Sequence, residues 1–461
     1  MNNTGAGSQA AILGAIGAPP STDVFGHPRG LVVLAGTEFW ERVSFHGMQA
    51  LLVLYMVEQL LFPGHVEHVL GFGSFRAGIE WFTGPLSTQA LAFQIFGIYI
   101  GLVYMTPLLG GVLGDRVLGR RRTVILGGSL MTAGHFSLAF DHTFLAALCL
   151  LTVGAGCLRG NLMSQLGSLY GASDRRRADA FQFYAASVNA GAFLAPLICG
   201  LLGRAYGWHV GFGFAGFGML TGLLVYVFGT RHLPPDPPRM RQALRAKLTP
   251  SERRVVTVLV ALTPVLATFW VAQSQVWNVY NVWVRDYVDL EVAGWTMPVP
   301  WVQSIDGLLP LMCMPLVVAY WRWQAARGRE PDEIRKIVTG GLLFAIGTAW
   351  LGAAHFLYDG DVKVPLLWAI GFHLGSNFGW LFFVPTAMGL FARSAPPSVG
   401  ALMIGVYYLS IFIGSIVSGR LGVLYERLEP ANFWFVHAAI AATGAMTILM
   451  IAKRLRHELR I

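Results

Sequence analysis

The chain has 461 residues, of which 55% are hydrophobic and 12% charged, and its formal net charge is +9. Because soluble proteins carry about a quarter charged residues, this composition excludes a soluble protein and indicates a chain that lies in lipid. The basic balance does not indicate nucleic-acid binding, because the sequence contains no soluble basic domain.

Residues 1–28 are rich in Gly, Ala, Ser and Asn and lack the basic start of a secretion signal, so we expect a disordered cytoplasmic leader. Twelve apolar stretches follow, separated by charged, Pro or Gly clusters. Only helices and closed barrels cross lipid, and the alternating pattern of a barrel is absent, so the stretches predict membrane helices. They lie near 30–58, 88–114, 122–140, 143–165, 177–203, 208–229, 255–284, 299–323, 334–356, 364–392, 396–424 and 431–453.

Lysine and arginine residues are distributed unequally over the connecting loops. Most lie in the leader, the even-numbered loops and the tail, whereas the odd-numbered loops hold only Arg76, Arg204, Arg285, Lys363 and Arg427. Basic residues are retained on the cytoplasmic side of a membrane. We therefore expect a multi-pass protein of the cell (inner) membrane with both termini in the cytoplasm.

A segment rich in Pro and basic residues, 230–254, divides the helices into two sets of six. The predicted architecture is an all-α integral membrane protein with the major facilitator fold. Its parts are six-helix bundles at 29–229 and 255–454, a cytoplasmic linker at 230–254 and a cytoplasmic tail at 455–461. Transporters of this plan bind substrate at mid-membrane between two halves that rock alternately.

The first predicted helix contains TEFWERVSFHGMQ, which places Glu38, Glu41 and Arg42 within an apolar stretch. Arg159 in the fourth helix adds a second base, so the four charges sum to zero, as a buried network requires. Arginine does not release its proton at accessible pH, whereas a buried Glu is protonated more readily, so Glu38 or Glu41 is the expected proton carrier. The alternative is a static brace between helices, which needs only one pair.

The sequence GGVLGDRVLGRRR lies between the second and third predicted helices. It resembles the cytoplasmic loop motif of the major facilitator superfamily, which implies a gating loop whose arginines pair with acids or helix carboxyl ends of the other bundle. The alternative is a tight turn that carries positive charge on the inner side. The residues implied for the gating loop are Gly111, Asp115, Arg116, Arg120 and Arg121.

Sequence motifs of several other protein classes are absent. The sequence has no G-x-x-x-x-G-K-[ST] phosphate loop, no H-E-x-x-H metal motif and no G-x-S-x-G nucleophile motif. The four cysteines lie singly in apolar stretches without the spacing of metal ligands. We expect a transporter driven by an ion gradient rather than an enzyme, with no metal and no cofactor, and with the proton as coupling ion.

Two long stretches resemble the proton-dependent oligopeptide transporters, the POT/PTR family of the major facilitator superfamily. They are HPRGLVVLAGTEFWERVSFHGMQALLVLYM and SLYGASDRRRADAFQFYAASVNAGAFLAPLICGLLGRAYGWHVGFGFAGFGML. Similarity continues more weakly through FWVAQSQVWNVYN, PWVQSIDGLLPL and GWLFFVPTAMGLFARSAP. The resemblance implies symport of di- and tripeptides with protons, in which basic residues hold the peptide carboxylate and Asn and Glu residues hold its amino end.

Carried over position by position, the resemblance is incomplete. Glu38, Glu41 and Arg42 fit the E-x-x-E-R motif, and Asn189 fits the fifth-helix amide that contacts the peptide. The departures are Arg159 for a Lys, Phe45 and His46 for two tyrosines, Gln49 for a basic residue, Ser274 for a Glu, Asp306 for an Asn and Trp380 for a Glu.

The changes at Ser274 and Trp380 remove two carboxylates that would pair with a substrate ammonium, which is costly in a desolvated site. Asp306 is the only acid in the predicted helices of the C-terminal half, so we hypothesise that it holds the amino end of the substrate. The alternative is that Asp306 pairs with Arg285 or another base of the outer face. His135 and His373 are expected to be structural.

The resulting proton-coupling set is Glu38, Glu41, Arg42 and Arg159. The resulting substrate-binding set is Arg42, His46, Tyr99, Arg159, Asn189, Gln275, Asn278, Asp306 and Trp380. Expected partners are a small peptide and the lipid bilayer, with no nucleic acid, and the protein is expected to be monomeric. Two other functions stay open: symport of a non-peptide organic substrate, and a peptide sensor that has lost transport.

Overall fold

The computed structural model describes residues 24–171, 174–236, 248–358, 360 and 362–459. This part of the chain is almost entirely helical. The helices are α1 (Arg29–Tyr55), α2 (Phe72–Thr83), α3 (Thr88–Met105), α4 (Pro107–Leu113), α5 (Arg120–Ser137), α6 (Phe144–Ser168), α7 (Arg176–Tyr206), α8 (Trp208–Gly229), α9 (Pro250–Ser274), α10 (Val279–Tyr287), α11 (Pro300–Gln303), α12 (Ile305–Ala326), α13 (Glu333–Leu357), α14 (Leu366–Ser394), α15 (Gly400–Leu421) and α16 (Pro430–Leu459). Strands β1 (Glu291–Val292) and β2 (Trp295–Thr296) form a short antiparallel hairpin.

Ten helical segments of the described chain are long and apolar enough to cross a membrane. They include α3 with α4, α6 to α9, and α11 with α12 through α16. The prediction of an all-helical, multi-pass membrane protein is therefore confirmed. Two further long helices, α1 and α5, are more polar, because α1 carries Glu38, Glu41 and Arg42 and α5 begins with three arginines.

The helices pack as two sets. In the first set, α1 packs against α7 and α8, and α5 packs against α6 and α8. In the second set, α13 packs against α14 and α16, and α9 packs against α15 and α16. The two sets meet where α3 contacts α15 and where α7 contacts α12. A space between the sets is thus bordered by helices from both halves of the sequence.

Glycines allow the two sets to approach closely toward the end that carries the odd-numbered loops, which we call the predicted outer face. A Cβ atom on Gly97 would lie 2.8 Å from the Cα of Gly419, so α3 and α15 touch backbone to backbone. A Cβ atom on Gly307 would lie 2.2 Å from the backbone nitrogen of Phe193. Small residues at such crossings let membrane helices pack without a gap.

The seventh predicted helix, 255–284, is interrupted. It runs as α9 to Ser274, continues as a 3₁₀ turn over Gln275–Trp277, and resumes as α10 after Asn278, whose φ of −106° and ψ of −101° are not helical. Non-helical backbone at membrane depth is tolerated where it lines a cavity or is buried in protein. Hydropathy did not predict this break, because the break lies inside one continuous apolar stretch. It also did not predict α2 and the hairpin, which are short and lie in loops.

Several predicted segments fall partly outside the described residues. Residues 1–23 of the predicted leader and residues 237–247 of the predicted linker are not described. The described end of the linker includes Thr249, whose hydroxyl and the Glu252 side chain form a capping box that begins α9. A cap of this kind satisfies amide groups that the first helical turn leaves unpaired.

Candidate functional site

A cavity of about 280 Å³ lies between the two sets of helices. Its wall combines charged, amide and aromatic side chains. The first set contributes Arg42, His46, Gln49, Phe96, Ile100, Tyr104, Val188, Asn189 and Ala192. The second set contributes Trp270, Gln273, Ser274, Trp277, Asp306, Ser376, Asn377, Trp380, Tyr407 and Tyr408, among others. One base, Arg42, and one acid, Asp306, therefore face this cavity from different sets.

The four predicted charges of the first set form a chain of ion pairs. Arg42 Nη2 lies 2.7 Å from Glu38 Oε1, and Arg42 Nε lies 3.1 Å from Glu41 Oε2. Arg159 Nη2 lies 3.0 Å from Glu41 Oε1. Glu41 is fully buried, and Glu38 accepts a further hydrogen bond from the Tyr184 hydroxyl, at 2.5 Å. Glu41 is thus shared between α1 and α6.

Arg159 does not line the cavity, contrary to the predicted substrate contact. Its guanidinium lies 4.1 Å from the centre of the Phe45 ring and pairs with Glu41. Phe45 lies between Arg42 and His46 in the sequence. These two residues line the cavity, whereas Phe45 is buried. Arg159 therefore contacts the ion-pair network, and Arg42 is the member of that network that reaches the cavity.

Asp306 pairs with a residue that the sequence interpretation left as structural. Its Oδ1 atom lies 2.7 Å from His373 Nδ1 and accepts a hydrogen bond from the Asn377 amide at 2.8 Å. The alternative was a pairing of Asp306 with Arg285 or another base of the outer face. Arg285 contacts Asp286 and Glu58 instead, and the base that pairs with Asp306 is His373. His373 and Asn377 are one helical turn apart on α14, which brings both to the same carboxylate.

Three more residues of the predicted substrate set lie away from the cavity. Tyr99 is buried and does not line it, although Tyr104 of the same helix does. The Gln275 amide group donates to the Ser418 carbonyl and contacts His437 Nε2. Asn278 donates to the Phe93 carbonyl across the two sets. The helix break after Ser274 turns Gln275 and Asn278 into the protein. His46, Asn189 and Trp380 do line the cavity.

Some wall residues were missed by sequence reasoning. Tyr104, Tyr407 and Tyr408 line the cavity, and the rings of Tyr104 and Tyr408 stack across the two sets with centroids 6.5 Å apart. The sequence does contain a signal for two of these residues, because Tyr407 and Tyr408 are adjacent in the middle of an apolar stretch. Hydroxyl groups at that depth need a polar partner or water, which favours a position beside a cavity.

The predicted gating loop is held within the first set of helices. Arg120 Nε lies 2.9 Å from Asp115 Oδ1, and Arg121 donates to the carbonyls of Leu233 and Pro234 beyond the end of α8. Within the described residues, these two arginines contact Asp115, Leu233 and Pro234 and not the expected partners in the other bundle. Close glycine packing occurs at Gly110 and Gly114, whereas a Cβ atom on Gly111 would meet nothing within 4 Å. The Arg116 side chain is exposed.

Polar contacts also join the two sets near the predicted outer face. Arg285 Nη1 lies 3.2 Å from Glu58 Oε1. The Ser87 hydroxyl donates to the Glu426 carboxylate at 2.6 Å, and the Arg420 guanidinium donates to the Thr83 carbonyl at 2.8 Å. Together with the Gly97 and Gly307 crossings, these contacts close the cavity toward the outer face. Among the described residues, no group of three or more His, Cys, Asp or Glu side chains is arranged to hold a metal ion.

The family model described as the POT family matches this sequence over residues 121–247 and 238–435. The peptide transporter YePEPT of Yersinia enterocolitica is 28% identical, with 94% of this chain and 95% of the relative covered. The di-/tripeptide transporter of Lactococcus lactis subsp. cremoris is 26% identical, with 93% and 96% covered.

Solved structures give the same result for the fold. A peptide transporter POT in complex with alafosfalin superimposes with a TM-score of 0.81 at 27% identity and covers 96% of this chain and 98% of that one. The complex of such a transporter with sulfate gives a TM-score of 0.83 at 26% identity, with the same coverage. The match extends over both sets of helices rather than over one of them.

Proposed function

The chain belongs to the POT family, and we propose that it takes up di- and tripeptides, or peptide-like molecules, together with protons by alternating access. The observation that carries this proposal is the presence of Arg42 and Asp306 on the two sides of one cavity. A zwitterionic peptide has a carboxylate at one end and an ammonium at the other. One base and one acid on separate walls are complementary to both ends and leave neither charge unpaired.

The size of the cavity favours small substrates. At about 280 Å³ it lies just below the range of roughly 300–1,000 Å³ that is usual for ligand pockets. Trp270, Trp277 and Trp380 supply apolar wall for substrate side chains. The buried Nε1 atom of Trp270 and Nδ1 atom of His46 have no hydrogen-bond partner among the described residues, so both are available to the amide groups of a peptide.

Proton coupling is assigned to the ion-pair chain of α1 and α6. A peptide carboxylate that binds Arg42 competes with Glu38 and Glu41 for the same guanidinium. Glu41 then loses one of its two partners and takes up a proton, which restores the charge balance of the buried network. A static brace between helices needs only one ion pair, whereas Glu41 contacts two arginines. Glu41 therefore keeps Arg159 as a partner when substrate binds Arg42.

The number of membrane spans depends on whether the two more polar helices, α1 and α5, are counted with the ten apolar ones. We infer that α1 and α5 also span the membrane, which gives twelve spans in two six-helix bundles of the major facilitator type. Their packing among the apolar helices supports this count. The concentration of basic residues in the leader, even-numbered loops and tail supports a cytoplasmic location for both termini. A monomeric carrier without any cofactor besides the coupling proton is sufficient for this cycle.

A non-peptide substrate is the second candidate function. Ser274 and Trp380 stand where the family resemblance leads one to expect acids, so the amino-end subsite differs from that of a standard peptide carrier. A sensor that binds peptide without transport is a further alternative, and the intact ion-pair chain argues against it.

Uptake into proteoliposomes tests the proposal. A labelled dipeptide, its N-acetylated form and a small organic anion are compared under an imposed pH gradient, and binding of each is measured in parallel by thermal shift. We expect gradient-driven accumulation of the free dipeptide and its loss in Glu41→Gln. Preference for the anion supports the second candidate, and binding without flux supports a sensor.

A further inference from the structure

The wall of the cavity carries few charges. It holds one arginine, Arg42, and one carboxylate, Asp306, and the described residues contribute no lysine and no further arginine or acid to it. The other polar wall residues are amides, hydroxyls and one imidazole: Gln49, Asn189, Gln273, Ser274, Ser376, Asn377, Tyr104, Tyr407, Tyr408 and His46. Neutral groups donate and accept hydrogen bonds, but they do not balance a full charge in a space without water.

The charges behind the wall are already paired with one another. Glu38 and Glu41 are only 2% and 0% exposed, and Arg42 contacts both. Arg159 pairs with Glu41. His46 follows Arg42 by one turn of α1, so a positive charge on its ring would be repelled by that guanidinium. The cavity therefore offers a substrate one cationic and one anionic partner.

We propose that this cavity selects peptides whose side chains carry no charge. The inference rests on the proposed function, in which the carboxylate of a peptide pairs with Arg42 and its ammonium with Asp306. A lysine or glutamate side chain adds a third charge, for which the wall holds no partner. Water solvates that charge while the cavity is open. Alternating access passes through a closed state from which water is largely excluded, and there the third charge stays unbalanced.

The apolar part of the wall fits uncharged side chains. Besides the three tryptophans, it consists of Phe96, Ile100, Val188, Ala192, Val276, Pro310, Phe344, Val384, Met388 and Ile411. Burial of an aliphatic or aromatic side chain against such a surface is favourable. A norleucine side chain gains this burial, whereas lysine, which has nearly the same shape, brings an ammonium group to the same surface. The contrast between these two side chains is therefore one of charge rather than of size.

Two neutral wall residues, one from each set of helices, determine this selectivity. Gln49 is 5% exposed and follows Arg42 by seven residues on α1, which is about 10 Å along the helix. Trp380 follows Asn377 by one turn of α14, and the Asn377 amide donates to Asp306. Gln49 thus lies beyond the partner of the peptide carboxylate, and Trp380 lies beside the partner of the ammonium. A charge at either position would supply the partner that a charged side chain lacks.

The first test compares peptides of matched shape in the wild type. Norleucine and lysine are placed in either position of an alanine dipeptide, and glutamine and glutamate in its second position. Uptake into proteoliposomes is measured under a pH gradient, with the membrane potential held near zero so that the substrate charge does not change the driving force. We expect kcat/KM of each charged peptide to be at least about tenfold below that of its neutral counterpart. Equal values would overturn the inference and leave the proposed function intact, whereas failure of the neutral peptides as well would overturn both.

The second test places the missing charge on the protein. In Gln49→Glu the norleucine-to-lysine ratio of kcat/KM is expected to fall by about tenfold, and in Gln49→Lys the glutamine-to-glutamate ratio is expected to fall instead. Opposite shifts from one position cannot arise from a general loss of folding. Gln324→Glu and Gln324→Lys are the matched controls, because Gln324 lies outside the cavity and is hydrogen-bonded to Tyr320.

A second position keeps the inference testable where a Gln49 variant does not fold. Trp380→Glu is compared with Trp380→Gln, which has the same size and no charge, and only Trp380→Glu is expected to lower the norleucine-to-lysine ratio. The peptides are the same as in the first test. Equal ratios in these two variants, together with wild-type ratios in the folded Gln49 variants, would contradict the inference.

Discussion

Arg159 Nη2 lies 3.0 Å from Glu41 Oε1, and this contact joins α6 to α1 inside the first set of helices. Glu41 contacts Arg42 with its other oxygen, at 3.1 Å. One buried carboxylate therefore connects a base that faces the cavity with a base that does not. Substrate that engages Arg42 changes the environment of Glu41 without touching it.

Removing either partner of this buried pair is expected to destabilise the protein. Glu41→Gln leaves Arg159 without a counter-charge, and Arg159→Gln leaves the network with an excess acid, each at a cost of about 3–5 kcal/mol. In the double variant the remaining Glu38 and Arg42 still balance, so its loss of stability is expected to be smaller than the sum of the single losses by at least about 1 kcal/mol. Free energies of unfolding measured in detergent give this double-mutant cycle, and strictly additive losses would contradict the pairing.

Trp380 is expected to limit substrate size. It lines the cavity at a position where the family resemblance leads one to expect a smaller, acidic residue. In Trp380→Ala the ratio of the tripeptide KM to the dipeptide KM is expected to fall by about tenfold, which corresponds to about 1.4 kcal/mol. Transport kinetics with both substrates measure the ratio. Trp323→Ala is the control, because Trp323 is half exposed and lies against Arg327; an equal change in both variants would rule out a role in substrate size.

The sequence predicted where the long helices lie better than it predicted which side chains face the cavity. Hydropathy located long helices near every predicted stretch, because the length of an apolar stretch is a local property. It did not determine which way a helix faces, since helices that are apolar all round carry no periodic signal. Tyr99, Gln275 and Asn278 were placed in the substrate set for this reason, and the break after Ser274 changed the direction of two of them.

The partner of Asp306 illustrates a second limit. Asp306 and His373 are 67 residues apart and meet only because α12 packs against α14. The sequence identified Asp306 as a rare acid in an apolar stretch, which was enough to assign it to the cavity. Its hydrogen-bond partner required the packing of two helices, which no local pattern contains.

Gly307 is expected to control closure at the predicted outer face. A Cβ atom there would lie 2.2 Å from the Phe193 backbone nitrogen, so Gly307→Ala forces α12 away from α7. Overpacking of this kind costs about 1–3 kcal/mol, which shifts the equilibrium toward an outward-open state. Spin labels at the exposed outer residues Phe82 and Val292 report the separation of the two sets. Gly213→Ala, whose added methyl group meets nothing within 4 Å, is expected to keep the wild-type distance; the same distance in Gly307→Ala would contradict this role.

The Glu58–Arg285 contact is expected to make a small, salt-dependent contribution to the same closure. Both side chains are about one-third exposed, at 36% and 29%, so the pair is worth at most about 1 kcal/mol. Glu58→Arg is expected to change the uptake rate by up to about fivefold in low salt, and the change is expected to shrink in high salt. Glu67→Arg, which alters an exposed acid that accepts the Gly64 amide of its own turn, serves as the control. A salt-independent effect of Glu58→Arg would show that repulsion across the two sets is not its cause.

The central claim is that peptide and proton cross the membrane together through the Arg42 and Glu41 network. Its most direct test is the proton movement that a dipeptide gradient drives, followed with a pH-sensitive dye trapped in proteoliposomes without an imposed pH gradient. The account predicts that the wild type acidifies the lumen when peptide is added outside and that Glu41→Gln does not. Peptide entry at the wild-type rate without any change of lumenal pH would contradict the account.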